Sequence, residues 1–455
     1  MLAPLSFLLA IALGILITSL LVPDARFVER LAMGYGLGLG LATLVMFCLS
    51  AIGILLSAQT TAIALAFVAI VLGVVLWRCK PGALVLRTES VNPGYKGNSQ
   101  KFHTWKRVLA IAIATTVLLT ILASFVIALY WPICSWDAMA IWGVKGKAIA
   151  ASGTVTSLKY GVHHHYPLHF PLMISLASLL DGDELVKTLL SLTFAALLAV
   201  LCSNLRRFCG PLTSWLATLA LATTPLLLEH STIAYANLTM SFYYTASVLY
   251  LLNYINCGEL GFLLLSGLMA GIATWTRPEG LLLLGLNALV LLVFSLRRRS
   301  LRSILFYILP SCCFAFPWAM YSRYVLKIPN PFWSYAVTAI TNLLTGHVDW
   351  DKLAMILQYF GRTVGVYTRW GGVWIAFLAM AILCIDRLKR HSYLLLIILL
   401  NVAAVILMYY ATPEINPLSW WLSTGFDRMI LHFFPLLVFT AALLTQKNTG
   451  FKSDL

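Results

Sequence analysis

The sequence predicts an all-α membrane protein, a polytopic bundle of about 13 transmembrane helices. Hydrophobic residues make up 61% of the chain and charged residues only 10%, whereas a soluble globular domain carries about 25% charged residues. The mean hydropathy is +0.89. The apolar residues form blocks of roughly 20, the length of helix that crosses a hydrocarbon core. The blocks do not alternate polar and apolar residues as the strands of a membrane barrel would.

Each predicted span is an apolar block that ends at a polar or basic connector. The first block begins at Leu2 without a basic segment or a small-residue cleavage site, so we interpret it as a first span and not as a removed signal peptide. The predicted spans are 3–22, 31–57, 59–78, 108–130, 184–204, 211–228, 236–255, 259–276, 279–296, 302–321, 371–387, 392–410 and 427–445.

The basic connectors predict how the chain is oriented. The connector 78–107 is rich in Lys and Arg and has one acid, Glu89, so it should be cytoplasmic. Alternate threading puts the other basic connectors on the same side if 168–181 does not cross, and that segment is too short to span. The N-terminus is then outside and the C-terminus cytoplasmic. Because the net charge of +15 comes from these connectors, we exclude nucleic acid as a partner.

The first segment with chemical potential follows the span 108–130. Asp137 lies just outside that span between Trp136 and Trp142, where Trp anchors prefer the membrane interface. A carboxylate beside apolar walls can act as a general base. The alternative is an interfacial helix anchored by its Trp residues, in which Asp137 pairs with Lys145, one of two nearby lysines with Lys147.

The second segment is a histidine run. His163, His164 and His165 precede Tyr166-Pro167, and clustered imidazoles can bind a divalent metal. Adjacent residues rarely direct two rings to one ion, and no C-x-x-C or H-E-x-x-H pattern accompanies them. The alternatives are a polar loop before an interfacial helix, or contacts with phosphate or sugar hydroxyls.

Two arginines mark the remaining segments, both predicted at the outer ends of spans. Arg277 and Glu279 flank Pro278, and charges at membrane depth are costly and are usually functional or paired. The alternative is an ion pair that only joins two spans. Arg428 is predicted to open the last span, where a guanidinium can grip a phosphate in two places or can simply extend to the interface.

Together these segments resemble the GT-C superfamily of polyprenyl-phosphate-sugar-dependent membrane glycosyltransferases, which includes the protein O-mannosyltransferases, the aminoarabinose transferase of lipid A and the Rgt-type galacturonosyltransferases. The matching motifs are Trp136–Trp142, Tyr166–Leu172, Tyr235–Thr239, Thr276–Gly280, and Arg428 with Pro435. Asn237 and His165 depart from positions that are often acidic in relatives. The resemblance covers about 108–445 and divides the chain into 1–107, N-terminal helices with a basic loop, the module 108–445, and a cytoplasmic tail, 446–455.

The resemblance implies a sugar transfer on the outer face of the inner (plasma) membrane, as part of cell-envelope glycosylation. The donor would be a polyprenyl-phosphate-linked sugar, and the acceptor a glycan, lipid or protein. Asp137 would be the general base of an inverting displacement. Arg428, Arg277, Lys145 and Lys147 would bind the donor phosphate. Trp136, Trp142, His164, His165, Tyr166, Glu279 and Asn237 would bind substrate. A divalent metal stays open as a cofactor.

Other classes of protein remain as alternatives. A transporter or lipid flippase would need charges within span centres and inverted repeats, but these span centres are almost wholly apolar. A membrane scaffold predicts that Asp137, Glu279 and Arg428 lie far apart. A ligase for lipid-linked glycans would share the donor chemistry with a different outer-loop pattern. Convergence of the three residues in one place would favour an active site.

Overall fold

The computed structural model describes residues 2–79, 104–160, 163–180, 183–327, 331–413 and 415–446. Most of the basic connector 78–107, nearly all of the predicted tail 446–455 and Glu414 therefore lie outside the described residues. Every regular element within the described ranges is helical, without a strand among them. The prediction of an all-α, multi-pass membrane bundle is confirmed.

The chain forms 21 α-helices in the described ranges, together with two π-helices, Ala138–Gly143 and Tyr321–Val325, and a 3-10 helix, Val155–Tyr160. The α-helices are α1 Leu2–Leu21, α2 Phe27–Ala51, α3 Ala58–Cys79, α4 Thr104–Tyr130, α5 Val144–Ser152, α6 His169–Leu180, α7 Asp183–Phe208, α8 Pro211–Ala222, α9 Pro225–His230, α10 Ala236–Cys257, α11 Leu260–Thr276, α12 Glu279–Arg297, α13 Arg302–Met320, α14 Pro331–Leu344, α15 Trp350–Val364, α16 Tyr367–Trp370, α17 Val373–Leu383, α18 Ile385–Arg390, α19 Ser392–Tyr410, α20 Leu418–Leu431 and α21 Phe434–Leu444.

Eight of these helices are long and apolar enough to cross a membrane, or nine if the bent pair α20 and α21 counts as one span. The eight are α1, α2, α3, α4, α7, α12, α13 and α19, and each coincides with a predicted span. The other four predicted spans fall on α8, α10, α11 and α17. Three of these are short apolar helices, while α10 has 22 residues but carries many hydroxyl and amide side chains. As predicted, 168–181 is too short to cross, because α6 has only 12 residues.

Proline marks the places where two predicted spans are wrong in detail. The predicted span 427–445 is instead the end of α20 followed by α21, with a 45° bend between them. Pro435 lies in the first turn of α21, where its missing N–H is tolerated but would interrupt a continuing helix. Similarly, 211–228 divides into α8 and α9 at Pro225. Arg428 therefore lies in the last turn of α20 and does not open the final span.

Helix α2 lies in the middle of the bundle and packs against α1, α7 and α11. Gly34 and Gly38 share one helix face, and a Cβ on Gly38 would lie 2.2 Å from the carbonyl oxygen of Ala10 in α1. Gly36 faces Phe242 of α10, where a Cβ would lie 2.3 Å from its ring. Small residues let membrane helices approach this closely. The first predicted domain, 1–107, thus contributes a central helix to the module 108–445.

The loop after α4 folds back onto α2. His169 at the start of α6 is fully buried, with Nδ1 2.7 Å from Thr43 Oγ1 of α2 and Nε2 3.1 Å from the Tyr243 hydroxyl of α10. Trp275 Nε1 donates to the same Thr43 hydroxyl. These contacts fix the start of α6, three residues after Tyr166, against α2, α10 and α11.

Candidate active site

Asp137 and Arg428 meet across the bundle although they are 291 residues apart. Asp137 immediately precedes the π-helix Ala138–Gly143, and its Oδ2 accepts a hydrogen bond from Arg428 Nη1. Arg428 Nε and Nη2 both donate to the Thr424 carbonyl one turn earlier in α20. The two side chains are 23% and 25% exposed, so the pair is held firmly but is open to an incoming molecule.

The π-helix changes the partner expected for Asp137. An α-helix would place Asp137 and Lys145 on one face at two turns, but a π-helical turn widens the spacing. Lys145 is buried at 2% exposure and donates from Nζ to the His163 carbonyl at 2.6 Å. The alternative in which Asp137 pairs with Lys145 is therefore wrong. Burial lowers the pKa of Lys145 to about 8, because the charged form is poorly solvated there.

Arg277 forms the second charged centre. Its Nε and Nη2 donate to both carboxylate oxygens of Glu279 at 3.1 and 2.9 Å, and its Nη1 donates to Asn237 Oδ1 at 2.9 Å. The guanidinium therefore joins α10, α11 and α12. His432, at the bend between α20 and α21, has Nε2 3.4 Å from the same Asn237 oxygen. Asn237 is 1% exposed, and its Nδ2 has no partner within the described residues.

Tyr166 lies beside Lys145 and Arg277. The Lys145 ammonium is 5.7 Å and the Arg277 guanidinium 5.8 Å from the centre of its ring, both within the range of a cation–π contact. Trp142 packs against Tyr166 at 5.6 Å between ring centres. Burial raises the pKa of Tyr166 to about 12, and four charges act on its hydroxyl: Arg277, Glu279, Asp137 and Arg428. We call these four residues the Asp137 cluster.

The histidine run lies beside this cluster but does not form a metal centre. The ring centres of His163 and His165 are 5.8 Å apart, and those of His164 and His165 are 6.3 Å apart. Across the described part of the chain, no group of three or more His, Cys, Asp or Glu side chains is placed to hold a metal ion. Burial, together with the neighbouring His163 and Lys145, lowers the pKa of His165 to about 4. The three histidines therefore do not belong to a metal site of three or more such side chains within the described residues.

Two residues predicted for the site lie at its margin. Trp136 is 64% exposed and Lys147 is also exposed, in contrast to the buried Trp142 and Lys145. Tyr235, for which the sequence predicts no role of its own, also belongs to the site. The Arg428 guanidinium lies 5.3 Å from the centre of the Tyr235 ring, and the Tyr235 hydroxyl faces Ser135 and the Asp137 backbone. The sequence signal was its place in the Tyr235–Thr239 motif.

Part of this chain matches the model of a known protein family. The model of the family described as dolichyl-phosphate-mannose-protein mannosyltransferase matches residues 165–324. Neither the curated proteins nor the solved structures gave a match. The family match supports the GT-C superfamily of membrane glycosyltransferases, so the resemblance predicted from the motifs is confirmed at that level. The matched region covers roughly a third of the chain and includes Tyr166, Asn237, Arg277 and Glu279.

Proposed function

We propose that this chain transfers a sugar from a polyprenyl-phosphate donor to an acceptor hydroxyl on the outer face of the plasma membrane, with inversion at the anomeric carbon. The observation that carries the proposal is the Asp137 cluster, in which distant segments pair Asp137 with Arg428 and Glu279 with Arg277, and the Arg277 guanidinium lies 5.8 Å from the centre of the Tyr166 ring. A protein with only a scaffolding role would not need these four charged side chains in one place. The family description names a mannosyl donor, which is therefore the first sugar to test.

Asp137 is the general base of the proposed reaction. Arg428 holds its Oδ2, and Oδ1 has no hydrogen-bond partner among the described residues, which leaves it available for a proton. The acceptor O–H gives its proton to Asp137 while the acceptor oxygen bonds to the anomeric carbon. The bond from that carbon to the phosphate oxygen breaks, and the polyprenyl phosphate leaves with both electrons of the bond. Tyr235 positions the pair through its contacts with Arg428 and the Asp137 backbone.

The leaving phosphate gains negative charge, so a nearby cation stabilises the transition state. Arg277 already donates to Glu279 and Asn237, and Arg428 to Asp137 and Thr424. Lys145 has one neutral acceptor, the His163 carbonyl, and no carboxylate within ion-pair distance in the described ranges. We therefore assign the phosphate contact first to Lys145, with Arg277 behind Tyr166 and the exposed Lys147 at the entrance.

The remaining substrate contacts follow from the same geometry. Tyr166, His164 and His165 line one side, Trp142 supports Tyr166, and Glu279 and Asn237 hold Arg277 in place. The exposed Trp136 lies where it would meet lipid or the donor's polyprenyl tail. Glycans, lipids and proteins all carry hydroxyls that this site would accept.

The decisive experiment is sugar transfer by the reconstituted protein from radiolabelled polyprenyl-phosphate sugars to a membrane extract. Asp137→Asn should reduce transfer by about 10²–10⁴, the usual contribution of a general base, without loss of the folded protein. Asp351→Asn is the matched control, because Asp351 is an exposed acid in α15. Transfer retained by Asp137→Asn would remove the base assignment. No transfer by folded wild type from any donor in the panel would favour a transporter or scaffold.

A further inference from the structure

A second charged cluster lies at the opposite end of α2 from the loop that carries Asp137. The C-terminal end of α2 meets that loop, where Ser50 Oγ is 3.3 Å from Thr154 Oγ1. With 25 residues, α2 is about 36 Å long, so its first turn reaches the other face of the membrane. We call the group there the arginine cluster; it comprises Asp24, Arg26, Glu29, Arg30, Arg206 and Arg207.

One arginine takes up both acids of the arginine cluster. Arg207 Nη1 donates to Asp24 Oδ2 at 2.6 Å, and its Nη2 donates to Glu29 Oε1 and Oε2 at 3.0 and 3.1 Å. The Tyr250 hydroxyl adds a third bond to Glu29 at 2.8 Å. Glu29 is fully buried. Four cations and two anions meet here, and among the described residues Arg207 is the arginine that pairs with both carboxylates.

The other three arginines have no carboxylate within ion-pair distance in the ranges that the structure describes. Arg30 is only 8% exposed, donates from Nη2 to the Pro23 carbonyl at 2.6 Å, and has no acceptor for Nε. Arg26 lies one turn before Arg30, and its Nη2 reaches the Arg206 carbonyl at 3.5 Å. A nearly buried cation without a counter-charge is costly in a membrane protein, so an anion bound beside Arg30 would offset this cost.

The surface beside these arginines is apolar and accessible. Phe27 is 74%, Val28 56% and Leu31 40% exposed at the start of α2. In a membrane helix such side chains face lipid tails. Basic pockets between transmembrane helices are known to bind lipid headgroups, and guanidiniums match the geometry of phosphate oxygens. We propose that Arg26, Arg30 and Arg206 bind the phosphate of an anionic phospholipid, with an acyl chain along Phe27 and Leu31.

Bound lipid would hold the turn between α1 and α2 against the end of α7. Arg26 and Arg30 lie at the start of α2, and Arg206 lies at the end of α7. The unpartnered, buried Asp24 Oδ1 lies at the same turn and can accept a hydrogen bond from a headgroup hydroxyl. A glycerol headgroup supplies both the phosphate and that hydroxyl. The proposal does not depend on glycosyl transfer.

The test compares the full-length protein in nanodiscs of phosphatidylcholine alone and of phosphatidylcholine mixed with phosphatidylglycerol. Thermal unfolding and native mass spectrometry of the released protein report stabilisation and retained lipid. We expect phosphatidylglycerol to raise the Tm and to remain bound. Arg30→Gln should weaken retention about tenfold, the equivalent of one charge-assisted hydrogen bond. If Arg30→Gln does not fold, Arg206→Gln serves the same purpose, because Arg206 is only half-buried.

Arg298→Gln is the control, since Arg298 is an exposed arginine at another helix end. It should retain phosphatidylglycerol as wild type does. Equal retention by Arg30→Gln or Arg206→Gln and wild type would overturn the proposal, as would equal loss in the Arg298 control. Stabilisation by inorganic phosphate in phosphatidylcholine nanodiscs, without any effect of phosphatidylglycerol, would show a free-phosphate site and would overturn the lipid assignment.

Discussion

Two cations of the candidate active site, Arg277 and Arg428, are paired with a carboxylate, whereas Lys145 is not. Arg277 is held by a carboxylate and an amide, and Arg428 by a carboxylate and a backbone carbonyl. Such arginines are good for holding geometry, because their donors already have acceptors. Lys145 is buried with a carbonyl acceptor only. Its charge is the one that an anionic ligand would complete.

The pH dependence of donor binding should therefore follow Lys145. Its folded-state pKa is lowered from 10.5 to about 8, so the ammonium is present below about pH 8 and is lost above it. Donor binding should weaken as the pH rises through this value, measured as the Kd of a soluble polyprenyl-phosphate analogue. Lys145→Arg keeps its charge above pH 8 and should bind without this alkaline loss. A wild-type Kd that stays constant from pH 7 to 9 would contradict the assignment.

The lowered pKa of Lys145 also determines how this residue changes the stability of the fold with pH. Between about pH 8 and 10.5 the unfolded chain holds a proton on Lys145 that the folded chain has lost. Stability rises with pH wherever the unfolded state binds more protons, so Lys145 alone would stabilise the fold slightly as pH rises through this window. Weaker donor binding above pH 8 would thus reflect loss of a ligand contact and not unfolding.

At the scale of single elements, α2 shows how close packing depends on glycine. Its four glycines alternate between two faces: Gly34 and Gly38 meet α1, while Gly36 and Gly40 meet Phe242 of α10 and Ile272 of α11. Each pair is a G-x-x-x-G spacing, which allows helices to approach closely in a membrane. One helix thus presents two contact surfaces, which explains why it is mostly buried although it lies near the N-terminus.

Gly38→Ala should destabilise the protein, because the added Cβ would lie 2.2 Å from a backbone oxygen of α1 and the helices must separate. We expect a cost of about 1–3 kcal/mol, typical of overpacking, measured as a lower Tm in detergent. Gly73→Ala in α3 is the matched control, since nothing lies within 4 Å of its added Cβ. An equal Tm for the two variants would refute the close-packing account of α2.

The elements also show what sequence could and could not predict. Long apolar runs such as 108–130 and 392–410 fixed the existence of α4 and α19, because hydrophobic length is a local property. The bend before Phe434 and the π-helix after Asp137 were not predicted. A π-helix has no reliable composition signal, and its effect was to give Asp137 a different partner. The G-x-x-x-G spacing in α2 was readable, but its two partner surfaces depend on helices distant in sequence.

The sequence predicted which residues form the candidate site better than it predicted the contacts between them. Motif order indicated Asp137, Arg277, Glu279 and Arg428, and the fold pairs Asp137 with Arg428 and Glu279 with Arg277. The Arg277–Glu279 ion pair was one of the predicted alternatives, and the structure contains it. The partner of Asp137 was not predictable, because it depends on the position of α20 and on the π-helical turn after Asp137. Whether these residues perform the proposed chemistry stays a prediction.

At the scale of the whole molecule, the N-terminal helices are part of the bundle that carries the site. Thr43 and Gly36 of α2 bond to His169 and Tyr243, and α2 packs against α7 and α11. Without α2 these buried polar groups would lose their partners, and each unpaired group costs roughly 1–3 kcal/mol. Residue 107 is therefore a boundary in the sequence, but the helices on either side of it pack together in one bundle.

A chain shortened to residues 104–455 should consequently fail to give a stable, monodisperse protein in detergent, as judged by size-exclusion chromatography and thermal unfolding. Co-expression of residues 1–79 as a separate chain is the control, because it returns α1–α3 without covalent connection. Recovery of a stable complex is the expected result. A well-behaved 104–455 fragment with normal sugar transfer would show that the N-terminal helices are a dispensable addition.

The two-faced helix α2 has a consequence for how the protein is made. Chains emerge from the ribosome N-terminus first, at about 5–20 residues per second, so α1 can pair with Gly34 and Gly38 almost at once. The partners of Gly36 and Gly40 lie near residues 242 and 272 and are synthesised roughly 10–40 s later. During that interval one face of α2 has no helix packed against it in the bilayer, and the Thr43 hydroxyl has only the carbonyls of its own helix as partners. Biogenesis of this protein should therefore depend on a membrane insertase or chaperone that shelters the early hairpin until the later helices arrive.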